Sequence, residues 1–89
     1  MGQIDQDYLM SRMHAAEKGT AEALYDLGLL YSTGIGVEQD LIEAHKWFNL
    51  AVMRGLATAK IDRAEVAQDM SFQQIAAAQK KAREWLSCH

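Results

Sequence analysis

The chain has 89 residues, enough for one domain, and 49% of them are apolar, so a single core is affordable and disorder is not expected. A net charge of -3 with no basic face argues against nucleic-acid binding, which requires cations to displace phosphate counterions. No apolar run approaches the ~20 residues of a membrane helix, and the opening Met1-Gly2-Gln3-Ile4-Asp5 is not a secretory signal.

Gly2 does not open a myristoylation motif, because Gln6 stands where serine or threonine is wanted. Cys88 is the sole cysteine, so no intrachain disulfide can form, and a cytoplasmic location is the expectation. Proline is absent and alanine is abundant, a composition that favours helices. An all-α domain over residues 1–89, with about five antiparallel helices, is therefore expected.

The first helix is expected from Asp5 to Lys18, with Asp5 as its cap and Tyr8, Leu9, Met13 and Ala16 as its apolar stripe. Gly19 stops it and Thr20 starts the second helix, whose packed face carries Ala23, Leu24, Leu27, Gly28, Leu30 and Tyr31. Glycine at position 28 costs about 1 kcal/mol against alanine in a helix, which makes sense where a neighbouring helix passes close.

Gly34 and Gly36 bracket a sharp corner in which both are expected at positive φ, with Ile35 and Val37 buried as anchors. Asp40 and Glu43 have capping-box spacing and open a third helix that ends at Arg54-Gly55. Leu41, Ala44, Trp47, Phe48, Leu50, Ala51 and Val52 spread round so wide an arc that this helix should be covered on two sides, at the centre of the structure. A fourth helix is expected over Ala57–Gln68, with Ala57, Ile61, Ala64 and Ala67 as its apolar side. A second capping box, Ser71/Gln74, opens a fifth with Phe72, Ile75, Ala78, Ala82, Trp85 and Leu86, ending near Trp85.

The chain partly repeats itself. Ala15-x-Glu17-Lys18-Gly19 matches Ala51-x-Met53-Arg54-Gly55 at a spacing of 36; Ala23 matches Ala59 and Gly28 matches Ala64. The two capping boxes match at 31, so the second corner is five residues shorter and lacks the Gly-Ile-Gly turn. A period in the thirties with two helices per unit marks an α-solenoid.

The spaced set Gly19, Ala23, Leu27, Gly28, Tyr31, Gly34, Gly36, Val37, Asp40, Ala44, Trp47, Ala51 and Gly55 resembles a Sel-1-like repeat, a relative of the tetratricopeptide repeat. The resemblance implies an N-terminal capping helix at 4–18, one complete unit at 19–54, and a degenerate second repeat or C-terminal cap at 55–87. It also implies a right-handed superhelical stack used as a non-catalytic adaptor or scaffold for a protein or peptide, of a kind frequent in bacteria.

In such a stack the first helix of each pair lines the groove. That places Glu22, Tyr25, Leu29 and Ser32, with Thr58, Ile61 and Glu65, as candidate partner contacts. Tyr25 and Leu29 are the candidate apolar anchors, with core packing an even alternative, and Glu22 and Glu65 favour a basic partner. A self-associating structural protein is the rival reading, because apolar residues stand at both ends: Tyr8, Leu9, Met10 and Met13, then Trp85 and Leu86.

No cofactor or metal is expected. His14, His45 and His89 share no ligand spacing with one another or with Cys88. Gly34-Ile35-Gly36 lacks the strand and the Lys-Ser/Thr of a phosphate loop. Neither a base-activated nucleophile nor a paired acid and base is visible, and Asp26, Asp40 and Glu43 have no evident partner in a pocket. Lys80, Lys81 and Arg83, interrupted by Glu84, read as a solvated face.

Overall fold

The computed structural model describes residues 6–89, and these are all-helical apart from turns. The elements are α1 (Gln6–Glu17), α2 (Ala21–Thr33), α3 (Leu41–Met53), α4 (Ala59–Ala67) and α5 (Phe72–Cys88). The expected cap Asp5, and Ile4 before it, lie outside the described residues.

α3 is the centre. It packs against α2, α4 and α5, while α1 packs against α2. The main core draws on every helix: Ala16 of α1, Leu24 and Leu27 of α2, Trp47 and Leu50 of α3, Ala59 of α4 and Ala82 of α5. Alanines at the crossings let the helices approach, and the large side chains fill the spaces between them. Trp47 is buried and meets Trp85 edge-on, with ring centroids 6.3 Å apart. A second, smaller core joins Ala44, Phe48 and Val66 between α3 and α4.

At Gly28 a side chain is excluded by packing. A Cβ there would lie 2.5 Å from Cδ1 and Cε1 of Phe48, inside any real contact distance. Gly34 is required for a different reason: it caps α2 at φ 75°, and its N–H donates to the Leu30 carbonyl at 2.8 Å. Across the corner the Asp40 N–H donates to the Tyr31 carbonyl (3.0 Å), and Gln39 Nε2 donates to the Ser32 carbonyl (2.8 Å). Gly36 shares the left-handed conformation.

Several sequence expectations are corrected. Ile35 does not anchor the corner; it is 44% exposed, and Val37 alone packs against the core. The capping box at Asp40 forms only halfway: the Glu43 N–H donates to Asp40 Oδ1 (3.1 Å), with no return bond. The Asp40 N–H is already spent on Tyr31, and the Glu43 carboxylate turns to Trp47 Nε1 (3.2 Å) and Lys46 Nζ (2.9 Å), with Lys81 Nζ at 3.6 Å. Asp26 meets Arg12 at 3.3 Å and ties α1 to α2.

On α1, Tyr8 and Met13 are exposed and the helix docks through Ala16, with Leu9 and Ala15 beside it. The fourth helix turns a different face inward. Its entry is wound tightly by i→i+3 bonds, Lys60 N–H to Ala57 O and Ile61 N–H to Thr58 O, so the α-helical span starts at Ala59. Ala59 and Val66 are buried, while Ala57, Ile61 and Ala64 are exposed. The match of Gly28 to Ala64 therefore fails in space, whereas that of Ala23 to Ala59 holds, both being fully buried.

The Ser71/Gln74 capping box forms both of its bonds, at 3.1 and 2.8 Å. The helix it starts runs three residues past Trp85, to Cys88. Phe72 is no part of the buried stripe: it is 89% exposed. The cause lies in the short second corner. α2 and α3 form an intimate hairpin, but α4 and α5 do not pack side by side; each docks separately on α3. Phe72 stands where the two diverge.

Gly28→Ala combines a gain of about 1 kcal/mol in helix propensity with a larger overpacking cost against Phe48. A net loss of about 1–2 kcal/mol is expected in chemical denaturation.

Candidate functional site

α2 and α4 run along the same side of α3 without packing closely on each other, and a cleft of about 420 Å³ opens beside them. Its floor is apolar: Leu41 and Phe48 from α3 and Val66 from α4. This is the exposed edge of the second core, so the packing that holds α4 on α3 also makes the floor. One wall is Ser32, at the end of α2, and Gln39 of the corner. The other is acidic. Asp62 and Glu65 line it from one face of α4, three residues apart, and Asp69 lines it from the turn that follows the helix.

The folding of each part follows from local sequence. The Gly34 cap stops α2 so that Ser32 reaches the rim, and the Gln39 amide bridging to Ser32 O fixes the corner against it. The inward face of α4, Ala59 and Val66, turns the carboxylates toward the cleft. Arg63 is drawn away to Asn49 Oδ1 (2.6 Å), so no cation lines the cleft.

The expected groove residues divide. Ser32 and Glu65 line the cleft. Tyr25 lies at its back: half-buried, it packs against both cores, with its ring 5.5 Å from that of Phe48. Burial raises the Tyr25 phenol above its ordinary value, and the nearby Asp62 carboxylate adds to the effect. Leu29 is 37% exposed on α2. Glu22, Thr58 and Ile61 are exposed but do not line this cleft.

Sequence reading missed Gln39, Leu41, Phe48, Asp62, Val66 and Asp69. The Asp62/Glu65 spacing on α4, with Asp69 just past its end, was a signal that could have found the acidic wall. Among the described residues no group of three or more His, Cys, Asp or Glu side chains is arranged to hold a metal ion. No described helix is long and apolar enough to cross a membrane.

One buried titratable group stands apart from the cleft. His45 of α3 is 5% exposed and its Nδ1 has no hydrogen-bond partner. Burial, with the nearby Arg63 charge second, lowers its pKa from the ordinary 6.5.

A central helix flanked by helices on several sides, one complete hairpin and a shorter, partly matching second unit make this a short α-solenoid. Residues 21–56 match the model of the Sel1 repeat, so the chain carries one such repeat. Such repeats are generally protein-interaction modules. The chain is also similar to chitin synthase regulatory factor 3 of Schizosaccharomyces pombe: 34% identity over 79 residues, covering 89% of this chain. It spans only 8% of that relative's length.

The depressed pKa of His45 has a testable sign. The unfolded chain binds the proton more readily, so stability is full above the unfolded value of about 6.5 and falls as pH drops below it. Denaturant midpoints measured from pH 7.5 downwards should decline for the wild type, and the decline through this window should be shallower in a His45→Gln variant.

Proposed function

We propose that this chain is a non-catalytic protein-interaction adaptor that holds an extended segment or helix of a partner in the cleft between α2 and α4. The observation that carries the reading is the join of an apolar floor to a polar rim in a concave feature beside the repeat's paired helices. Such a surface offers a partner side chain burial and the rim sets its orientation. The regulatory role in the name of the yeast relative, and the Sel1 family's general use in protein interaction, are consistent with an adaptor.

Tyr25 supports the site from behind, by packing on Phe48, while Ser32 and Glu65 meet the partner directly. Leu29 extends the apolar contact along α2. Glu22, Thr58 and Ile61 lie along the same two helices and serve a longer partner that runs past the cleft. A location in the cytoplasm fits the lone exposed cysteine.

Selection of a displayed random-peptide library against the chain tests the reading. Selected peptides should lose most of their affinity for a Val66→Glu/Leu41→Gln variant whose helical circular dichroism is kept, and a modest part of it for Leu29→Ala. Tyr25→Ala should lose stability as well as binding. Peptides that bind both forms equally would place the interaction surface elsewhere.

A second reading, self-association through the ends of the stack, is favoured by exposed Tyr8, Met10 (64%) and Met13 on α1 and by Phe72 (89%) at the start of α5, whereas Trp85 and Leu86, expected at the far end, are part-buried against the main core. In light scattering across concentration this reading requires mass to rise, and to stop rising in a Phe72→Ser variant. A constant monomer mass at high concentration would eliminate it.

A further inference from the structure

The cleft has a charge character beyond its shape. Three carboxylates, Asp62, Glu65 and Asp69, line it and no lysine or arginine does. None of the three takes part in an ion pair among the described residues, since the ion-paired carboxylates are Asp26 and Glu43.

The backbone adds to this potential. α2 ends at Ser32–Gly34 and α4 ends at Ala67, and the last turns of both supply lining residues. The carboxyl end of a helix carries roughly half a negative charge, and a basic residue in the last turn is the usual compensation. Neither helix has one. Glu65 and Asp69 instead place negative charge on the negative end of α4, an arrangement that weakens the helix by itself and is relieved by a bound cation.

The floor discriminates between cations. A lysine ammonium is compact and strongly hydrated, and loses more on leaving water for a site floored by Leu41, Phe48 and Val66. A guanidinium is planar and weakly hydrated, tolerates an apolar surface, and presents a fork of donors to carboxylates.

We infer that the cleft is a receptor for an arginine side chain of an extended, apolar-flanked partner segment, with Glu65 and Asp69 receiving the guanidinium and Leu41, Phe48 and Val66 receiving its stem and neighbours. The inference rests on the adaptor reading and narrows it to one chemical class of partner. A purely apolar helix, or a lysine-rich tail held by charge alone, fits the cleft less well.

The test uses the full chain, labelled for amide-shift spectroscopy, and a blocked pentapeptide with a central arginine between leucines. Twins carry citrulline, which keeps the shape and loses the charge, or lysine. The arginine peptide should shift the amides of Ser32, Gln39 to Leu41 and the last turn of α4. It should bind about fivefold to tenfold more tightly than the citrulline twin, and tighter than the lysine twin. The preference for arginine over citrulline should vanish in a Glu65→Gln/Asp69→Asn variant and persist in Glu84→Gln, whose carboxylate is exposed on α5 outside the cleft. Equal shifts of the same amides by arginine and citrulline peptides would overturn the inference and leave the groove reading standing. Arginine binding that maps elsewhere, or that Glu84→Gln weakens as much as the cleft variant does, would overturn it too. Library selection decides the groove reading separately: selected peptides that occupy the cleft without any arginine would retain that reading and reject this one.

Discussion

The contact on which the rest depends is that of Phe48 with the bare backbone at Gly28. The phenyl ring fills the space a side chain would need, so α3 packs directly on the backbone of α2. The consequences run outward from that point. Tyr25, one turn before Gly28, tilts against the same ring. Val66 of α4 seats on the other side of Phe48, and the three-residue cluster they form with Ala44 becomes the cleft floor. One glycine thus governs both how the hairpin closes and what a partner would meet.

The second pair of helices follows a different logic from the first. Seven residues, from Gly34 to Asp40, separate α2 from α3, with left-handed glycines to reverse the chain; four, from Gln68 to Ser71, separate α4 from α5. Without the glycine turn the chain does not fold α5 back along α4. α5 instead lies against α3 through Ala78, Ala82 and Trp85, and the Lys81–Glu43 ion pair joins it to the start of α3. The separation leaves Phe72 and Ile61 uncovered and frees the cleft-facing side of α4. An additional turn at the corner would have enclosed more apolar surface and altered that opening.

Much of this was legible from residue spacing because it rests on local rules. A glycine at the helix end, a serine three residues before glutamine, and an apolar arc too wide for one neighbour each have one economical structural outcome, and α3, the Gly34 corner and the Ser71 cap follow from them. The misses arose where a distant partner decided. Glu43 was bonded away from its cap by Trp47 and Lys46, and the Asp40 amide by Tyr31. The rotation of α4 was set by a tight entry turn, which no apolar periodicity in nine residues could reveal. The acidic wall escaped notice for the same reason, since Asp62 and Asp69 face the cleft only once Val66 faces Phe48. Glu65 and Ser32 were found because a general rule about the first helix of each pair sufficed for them.

The most direct measurement is a double-mutant cycle on the Gly28–Phe48 contact, made by chemical denaturation with Phe48→Leu as the second change. Leucine removes the Cε1 atom and can turn away from an added methyl group. The account predicts that Gly28→Ala is substantially less costly in the Phe48→Leu background, a coupling of about 1 kcal/mol or more between the two positions. Strict additivity, or a Gly28→Ala change that stabilises the chain with Phe48 in place, would contradict it.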